Sequence, residues 1–230
     1  MQGTRQAKGG THIIFAGNIS KVHEAFRTSQ NSGLLMKIIL VIPYGMSNNF
    51  KNLGKEISKY CTKFEIKDVD ISNISWCALL IYELATKERK KGYVVTLNLT
   101  DSSVFAFTIS ACLVGAVTKS KVITSSSNDT PVAVPLTPYC RIAMKRYEIL
   151  KALGDSGADN TESLKMKLKK LFKTGEIEVS NLSAQLRILE ERGFIVREKN
   201  RQSKRITRTS LGLLIQKAYE DYPSSSRPKK

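Results

Sequence analysis

From Thr11 to about Pro138, short apolar runs of strand character alternate with helix-period patterns, an order that few architectures accommodate. His12-Ile-Ile-Phe-Ala16 opens the series and a helical stretch follows from Ser20 to Ser29. Lys37-Ile-Ile-Leu-Val-Ile-Pro43 is nearly continuous in apolar residues, as a strand covered on both faces should be. Asn48 to Phe64 then reads as a helix, Glu65 to Ile71 as a strand and Ile74 to Lys91 as a longer helix. Tyr93 to Thr100 is a fourth strand and Ser102 to Thr118 a fourth helix, with weaker strands at Ser120 to Thr124 and Pro131 to Pro135. Strand–helix alternation predicts an α/β domain built on a parallel sheet between two helix layers. Right-handed crossovers make its order Rossmann-like.

After Pro138 the pattern changes. Arg141 to Leu153, Thr161 to Leu171 and Asn181 to Arg192 are amphipathic helices, the first two separated by the turn Gly154-Asp-Ser-Gly157 and the third stopped by Gly193. Phe194 to Arg197 and Ile206 to Arg208 flank a polar, basic loop and predict a β-hairpin, and Leu211 to Tyr222 predicts a closing helix. The expected organisation is a flexible tail over 1–10, a Rossmann-like domain over 11–138, an α+β helical domain with a hairpin over 139–223, and a basic flexible tail over 224–230.

Charge separates the halves further. The chain carries a formal +17 at pH 7, of which residues 1–140 contribute +7 and the shorter stretch 141–230 contributes +10. Such an imbalance favours a polyanionic partner, and the density peaks in the hairpin, at Arg197, Lys199, Arg201, Lys204, Arg205 and Arg208. No apolar run approaches the roughly 18 to 20 residues of a membrane span, and Met1 to Thr11 is too polar for a signal peptide, so a cytoplasmic protein with no membrane partner is expected. Cys61, Cys77, Cys112 and Cys140 form no CxxC pair and His12 and His23 lie far from most of them, which predicts buried free thiols and no metal site.

The stretch Asn181-Leu-Ser-Ala-Gln-Leu-Arg-Ile-Leu-Glu-Glu-Arg-Gly-Phe-Ile195, followed by the basic hairpin, resembles a winged helix-turn-helix of the MarR and ArsR type. The resemblance rests on Leu182-Ser183, Leu186, Leu189 and Glu190-Glu-Arg-Gly193, and covers roughly Arg141 to Tyr222. Helix geometry agrees independently: at 100° per residue Leu182, Leu186 and Leu189 share one face, while Ser180, Ser183, Ala184 and Arg187 point away from it. Recognition helices contact bases from their N-terminal half, and Arg can reach guanine O6 and N7 together. Ser180, Asn181, Ser183, Ala184 and Arg187 are therefore the expected readers of double-stranded DNA, with Arg197, Lys199, Arg201, Lys204 and Arg205 gripping phosphates. The alternative for these residues is a helical dimerisation module with a solvated charged loop.

In a Rossmann-like sheet ligands sit at the carboxyl ends of the strands. Two of those ends are rich in small or polar residues: Ala16-Gly-Asn-Ile-Ser20 and Asn98-Leu-Thr-Asp-Ser-Ser103. Gly17 allows close backbone approach, and Ser102 and Ser103 at a helix N-terminus offer hydroxyl and amide groups to a phosphate. Equally, Thr100 and Ser102 could serve only to cap the fourth helix. No G-x-G-x-x-G or P-loop occurs, which disfavours a dinucleotide dehydrogenase or an ATPase.

A Rossmann-like domain with such loops, joined to a winged helix, resembles the archaeal CARF (CRISPR-associated Rossmann fold) regulators, with Tyr93 to Ala111 the nearest segment. The resemblance implies a homodimer that binds a cyclic oligoadenylate, commonly cyclic tetra-adenylate, and takes no other cofactor. It places the ligand on Gly17, Asn18, Ile19, Thr100, Asp101, Ser102 and Ser103. Asp101-Ser-Ser103 then Val104-Phe105 departs from the family's glycine-rich turn with a following basic residue, putting a negative charge where an anion is expected. The reading is a dimeric, ligand-responsive transcriptional regulator without catalytic residues. The alternatives are a ring nuclease acting through Lys21, Asp101, Ser102 or Ser103, and an architectural DNA binder with no ligand.

Overall fold

The computed structural model describes residues 9–33, 35–50, 52–57, 61–101, 103–118, 120–126, 129–134, 142–172, 179–200 and 203–221, and its contacts divide the chain into two compact units, 1–139 and 140–230.

The first unit is a six-stranded sheet in the order β3-β2-β1-β4-β5-β6. Its strands are β1 (Gly10–Phe15), β2 (Leu35–Pro43), β3 (Lys63–Val69), β4 (Val94–Asn98), β5 (Lys121–Ser125) and β6 (Pro131–Ala133). The first five run parallel, and β6 closes the edge antiparallel to β5. The first unit is thus a Rossmann-like α/β unit. Alternate residues of the inner strands feed two helix layers. Ile14, Ala16, Ile38, Leu40 and Ile42 pack with Val22, Ala25 and Phe26 of α1 (Ile19–Asn31), together with Phe50 of α2 (Ser47–Phe50) and Leu53 and Ile57 of α3 (Leu53–Ile57). On the other face Phe15 meets Phe107 of α5 (Phe105–Thr118) at 5.5 Å between rings, and α5 packs along α4 (Ile74–Lys90).

The single helix expected over 48–64 is instead two short ones, and Phe64 belongs to β3, opposite Ile38. Asn48, Asn49 and Gly54 are poor helix formers, and burying Phe50, Leu53 and Ile57 in one layer holds both short segments in place. The fourth helix starts at Phe105, three residues later than expected.

The second unit comprises α6 (Met144–Leu153), α7 (Thr161–Phe172), α8 (Val179–Glu191), the hairpin β7 (Ile195–Asn200) and β8 (Ser203–Arg208), and α9 (Ser210–Asp221). Leu150, Leu153, Leu164, Leu168, Leu182, Leu186, Leu189, Ile195, Ile206 and Leu214 form its core, each no more than 2% exposed. Ala158 exchanges two backbone hydrogen bonds with Ile206, of 2.8 and 2.7 Å, and so adds a third strand position to the hairpin. Tyr147 of α6 stacks on Tyr219 of α9 at 4.4 Å. After α8 the backbone turns through Gly193 at φ +70°, a left-handed conformation that favours glycine.

Among the described residues no helix is long and apolar enough to cross a membrane, and no group of three or more His, Cys, Asp or Glu is placed to hold a metal ion. Cys61, Cys77 and Cys112 are free thiols, the first two buried, while Cys140 lies outside the described residues.

Candidate functional site: a switch-point loop pair and a DNA-reading surface

β1 lies between β2 and β4, so the loops leaving β1 and β4 depart toward opposite sides of the sheet. This is the topological switch point, where doubly wound sheets open a crevice. Here the two loops are bound together by Asp101. Its Oδ2 accepts the backbone N–H of Gly17 at 2.8 Å and of Asn18 at 2.7 Å, while Oδ1 accepts the N–H of Ser103 at 3.1 Å. Gly17 is required by space: a Cβ there would sit 2.3 Å from Val104 Cγ2 and 2.7 Å from Ser103 Oγ.

That arrangement engages groups that the sequence offers to a ligand. The amides of Gly17, Asn18 and Ser103, expected to meet an anion, already donate to Asp101. Asp101 itself is 2% exposed and acts as a clasp between the loops. Asn18 is also committed, since its Oδ1 accepts from Ser20 N and Ser20 Oγ as the N-cap of α1. Thr100 does not cap α5. Its N–H donates to Asn98 Oδ1 at 2.9 Å, and its buried Oγ1 has no partner among the described residues. Ile19 is 44% exposed, and Ser102 lies outside the described residues. Lys21, one of the candidates in the ring-nuclease alternative, pairs with Glu24 at 2.7 Å, which raises its pKa.

The structural role of Asn98 is what sequence reasoning missed. Fully buried, Asn98 donates to Ala25 O and Ser29 Oγ, both at 2.8 Å, and so fixes α1 against the end of β4. A single Asn closing a Val-Val-Thr-Leu run was its only visible signal.

In the second unit α8 buries Leu182, Leu186 and Leu189 and exposes Ser180, Asn181, Ser183, Ala184 and Arg187. Arg146 of α6 donates through Nε to Gln185 Oε1 at 2.8 Å, fixing the flank of α8. Arg197, expected to grip phosphate, donates to Glu190 Oε2 through Nε at 2.8 Å and also through Nη2. The guanidinium holds the Glu190 carboxyl below its ordinary range. Arg197 therefore braces the root of the wing on α8, a role that a count of basic residues cannot reveal. Arg205 is exposed beside the α6–α7 turn, with Nη2 3.5 Å from Ser156 O, and Lys204 is exposed next to it. Arg208 is almost wholly buried and pairs with Asp155 at 2.6 Å. Lys199 lies in β7 opposite Lys204, its side chain not among those described, and Arg201 falls outside the described residues.

Residues 142–207 match the model of the MarR family. The C-terminal unit carries a MarR-type winged helix. Its first three helices are α6, α7 and α8, and its wing is β7–β8. No curated protein matches the chain in sequence. Solved structures are similar to it, among them the following two. The protein VC1899 from Vibrio cholerae has 13% identity and a TM-score of 0.45, covering 90% of this chain and 65% of its own. Can2 from Sulfobacillus thermosulfidooxidans, solved in complex with cyclic tetra-adenylate, has 11% identity and a TM-score of 0.41, covering 93% of this chain and 65% of its own. The chain thus spans about two thirds of the length of either.

Proposed function

We propose that the chain is a dimeric, ligand-responsive transcriptional regulator that reads double-stranded DNA with α8 and the β7–β8 wing. The observation that carries this reading is the outward face of α8. Ser180, Asn181, Ser183, Ala184 and Arg187 stand exposed on it, opposite three fully buried leucines, in a unit matching the MarR family. Small polar residues let a helix approach base edges closely, and Arg187 supplies a bidentate donor for guanine. Lys204 and Arg205 on the wing supply phosphate contacts.

Dimerisation is assigned to the sheet unit. Phe105 is 70% exposed, and Ile109, Cys112, Leu113 and Ala116 continue from it as a half-exposed stripe along α5. Their spacing of four, three, one and three residues keeps them on one face of the helix, an apolar face suited to a second copy. The effector is assigned to the switch point, and its class, a cyclic oligoadenylate, rests on the resemblance of the domain order to CARF regulators. Binding there would shift the spacing of the two DNA-reading helices.

Fluorescence anisotropy with a randomised duplex, repeated across a salt series and then with cyclic tetra-adenylate, tests the reading. Salt-sensitive binding that cyclic tetra-adenylate alters is the expected result. Absence of duplex binding at about 50 mM salt refutes it, because the phosphate term is strongest there. One observation favours a second reading, an architectural DNA binder with no ligand: the switch-point amides are already satisfied by Asp101. Calorimetry showing no heat with cyclic tetra-adenylate, alongside intact DNA binding, selects that reading.

A further inference from the structure

The DNA-reading helix is not basic. Within α8 Arg187 is the sole cation, against Glu190 and Glu191. Glu190 faces sideways and is consumed by Arg197 of the wing. Glu191 lies one turn beyond Arg187 on the same outward face, and Arg187 Nε is 3.2 Å from its Oε1. Both side chains are open to water, at 75% and 61% exposure. The cation assigned to read a base is therefore held, in the free chain, by an acid on the surface that would face DNA.

An exposed ion pair of this kind contributes little stability, so DNA can displace Glu191 from Arg187 easily. What the displacement leaves behind depends on the DNA. If a backbone phosphate takes Arg187, Glu191 remains unpaired against a polyanion. If a guanine takes Arg187 through O6 and N7, an exocyclic amine on a neighbouring base, such as cytosine N4, can donate to Glu191. Both charges are then satisfied.

We infer that Glu191 is a specificity-determining residue of the reading face, penalising phosphate-only engagement of Arg187 and favouring a groove edge that offers an acceptor pair and an amine together. The inference rests on the DNA-reading assignment of α8. It also accounts for an acidic helix in a chain whose net charge is +17: the wing supplies attraction, while the helix opposes indiscriminate binding.

The test uses the full chain and two duplexes, one selected by the wild type from a randomised pool and one with the same composition scrambled. Glu191→Gln keeps the shape of the side chain and removes its charge. It should tighten binding to the scrambled duplex about two- to fivefold, the range an exposed pair can supply. Binding to the selected duplex should stay level or weaken, so the ratio between duplexes falls. In an Arg187→Ala background the same change should shift both duplexes equally and leave the ratio unaltered. A uniform gain on both duplexes with Arg187 present would mean bulk charge alone and overturns the inference. So does an equal loss of ratio in both backgrounds, since Arg187 would then play no part. A wild type that binds neither duplex overturns the DNA-reading assignment itself.

Discussion

Asp101→Asn should destabilise the sheet unit, whereas the sequence alone suggests that removing this charge would help an anionic ligand to bind. Asp101 is 2% exposed and accepts three backbone N–H groups, from Gly17, Asn18 and Ser103. A hydrogen bond to a charged group contributes about 1.5 to 3 kcal/mol net, and a buried donor left without an acceptor costs about 1 to 3 kcal/mol. Asn keeps one acceptor oxygen, which can serve Gly17 and Asn18, but then points its amide group at the N–H of Ser103. The loss of that bond and of the charge assisting the other two comes to about 2 to 3 kcal/mol. Asp101→Ala abandons all three donors and should cost about 3 to 5 kcal/mol. The assay is built into the chain. Trp76, its single tryptophan, lies in α4 of the sheet unit, so urea unfolding followed by Trp fluorescence reports on this unit. Ser103→Ala is the control, because the clasp uses the Ser103 backbone and not its hydroxyl. An Asn variant within about 0.5 kcal/mol of wild type, the scatter of an ordinary surface substitution, would refute the clasp.

Gly17→Ala should cost about 1 to 3 kcal/mol by overpacking, since its Cβ would meet Val104 Cγ2 at 2.3 Å, and adding Val104→Ala should recover part of the loss in the same unfolding assay. His12 gives the sheet unit a pH dependence. Burial first, then the charge of Lys121, lowers its pKa from 6.5 to about 4, so the folded state keeps the ring neutral where the unfolded chain protonates it. Stability is complete above pH 6.5 and falls by about 3 kcal/mol as pH drops from 6.5 to about 4, a slope that His12→Phe should remove. In DNA binding, Lys204→Ala with Arg205→Ala should lower the slope of log K against log salt by about 1.8, at about 0.9 per phosphate contact. An unchanged slope would remove the wing from the interface.

The layers of this fold are legible because each rests on a period. The Rossmann order follows from strand–helix alternation, with β2 too continuous in apolar residues for a one-faced sheet, and a winged helix follows from Leu182, Leu186 and Leu189 with a basic hairpin behind them. The failures occur where period stops being informative. Phe50, Leu53 and Ile57 have the spacing of one helix face, yet the chain between Ser47 and Ile57 is divided into two short helices, because tertiary burial rewards the apolar contacts whether or not the backbone between them stays helical. Strand ends are equally opaque. Phe64 reads as the last turn of a helix until Lys63 is paired with Lys37.

The candidate sites were legible as places and much less so as chemistry. The sequence singles out residues 16–20 and 98–103 because small and polar residues follow apolar strands, and these loops do meet at the switch point. It cannot show that Asp101 consumes the amides of both loops, since the acceptor and two of its donors lie 84 and 83 positions apart. The winged helix repeats the lesson with charge. Arg197, Arg205 and Arg208 look alike in sequence, but Arg197 braces Glu190, the buried Arg208 side chain pairs with the exposed Asp155, and Arg205 stays exposed. A basic run measures attraction to a polyanion only after the cations committed to the fold are subtracted. In this wing the exposed pair Lys204 and Arg205 survives that subtraction among the described side chains, and the salt slope should therefore count those two and not Arg197 or Arg208.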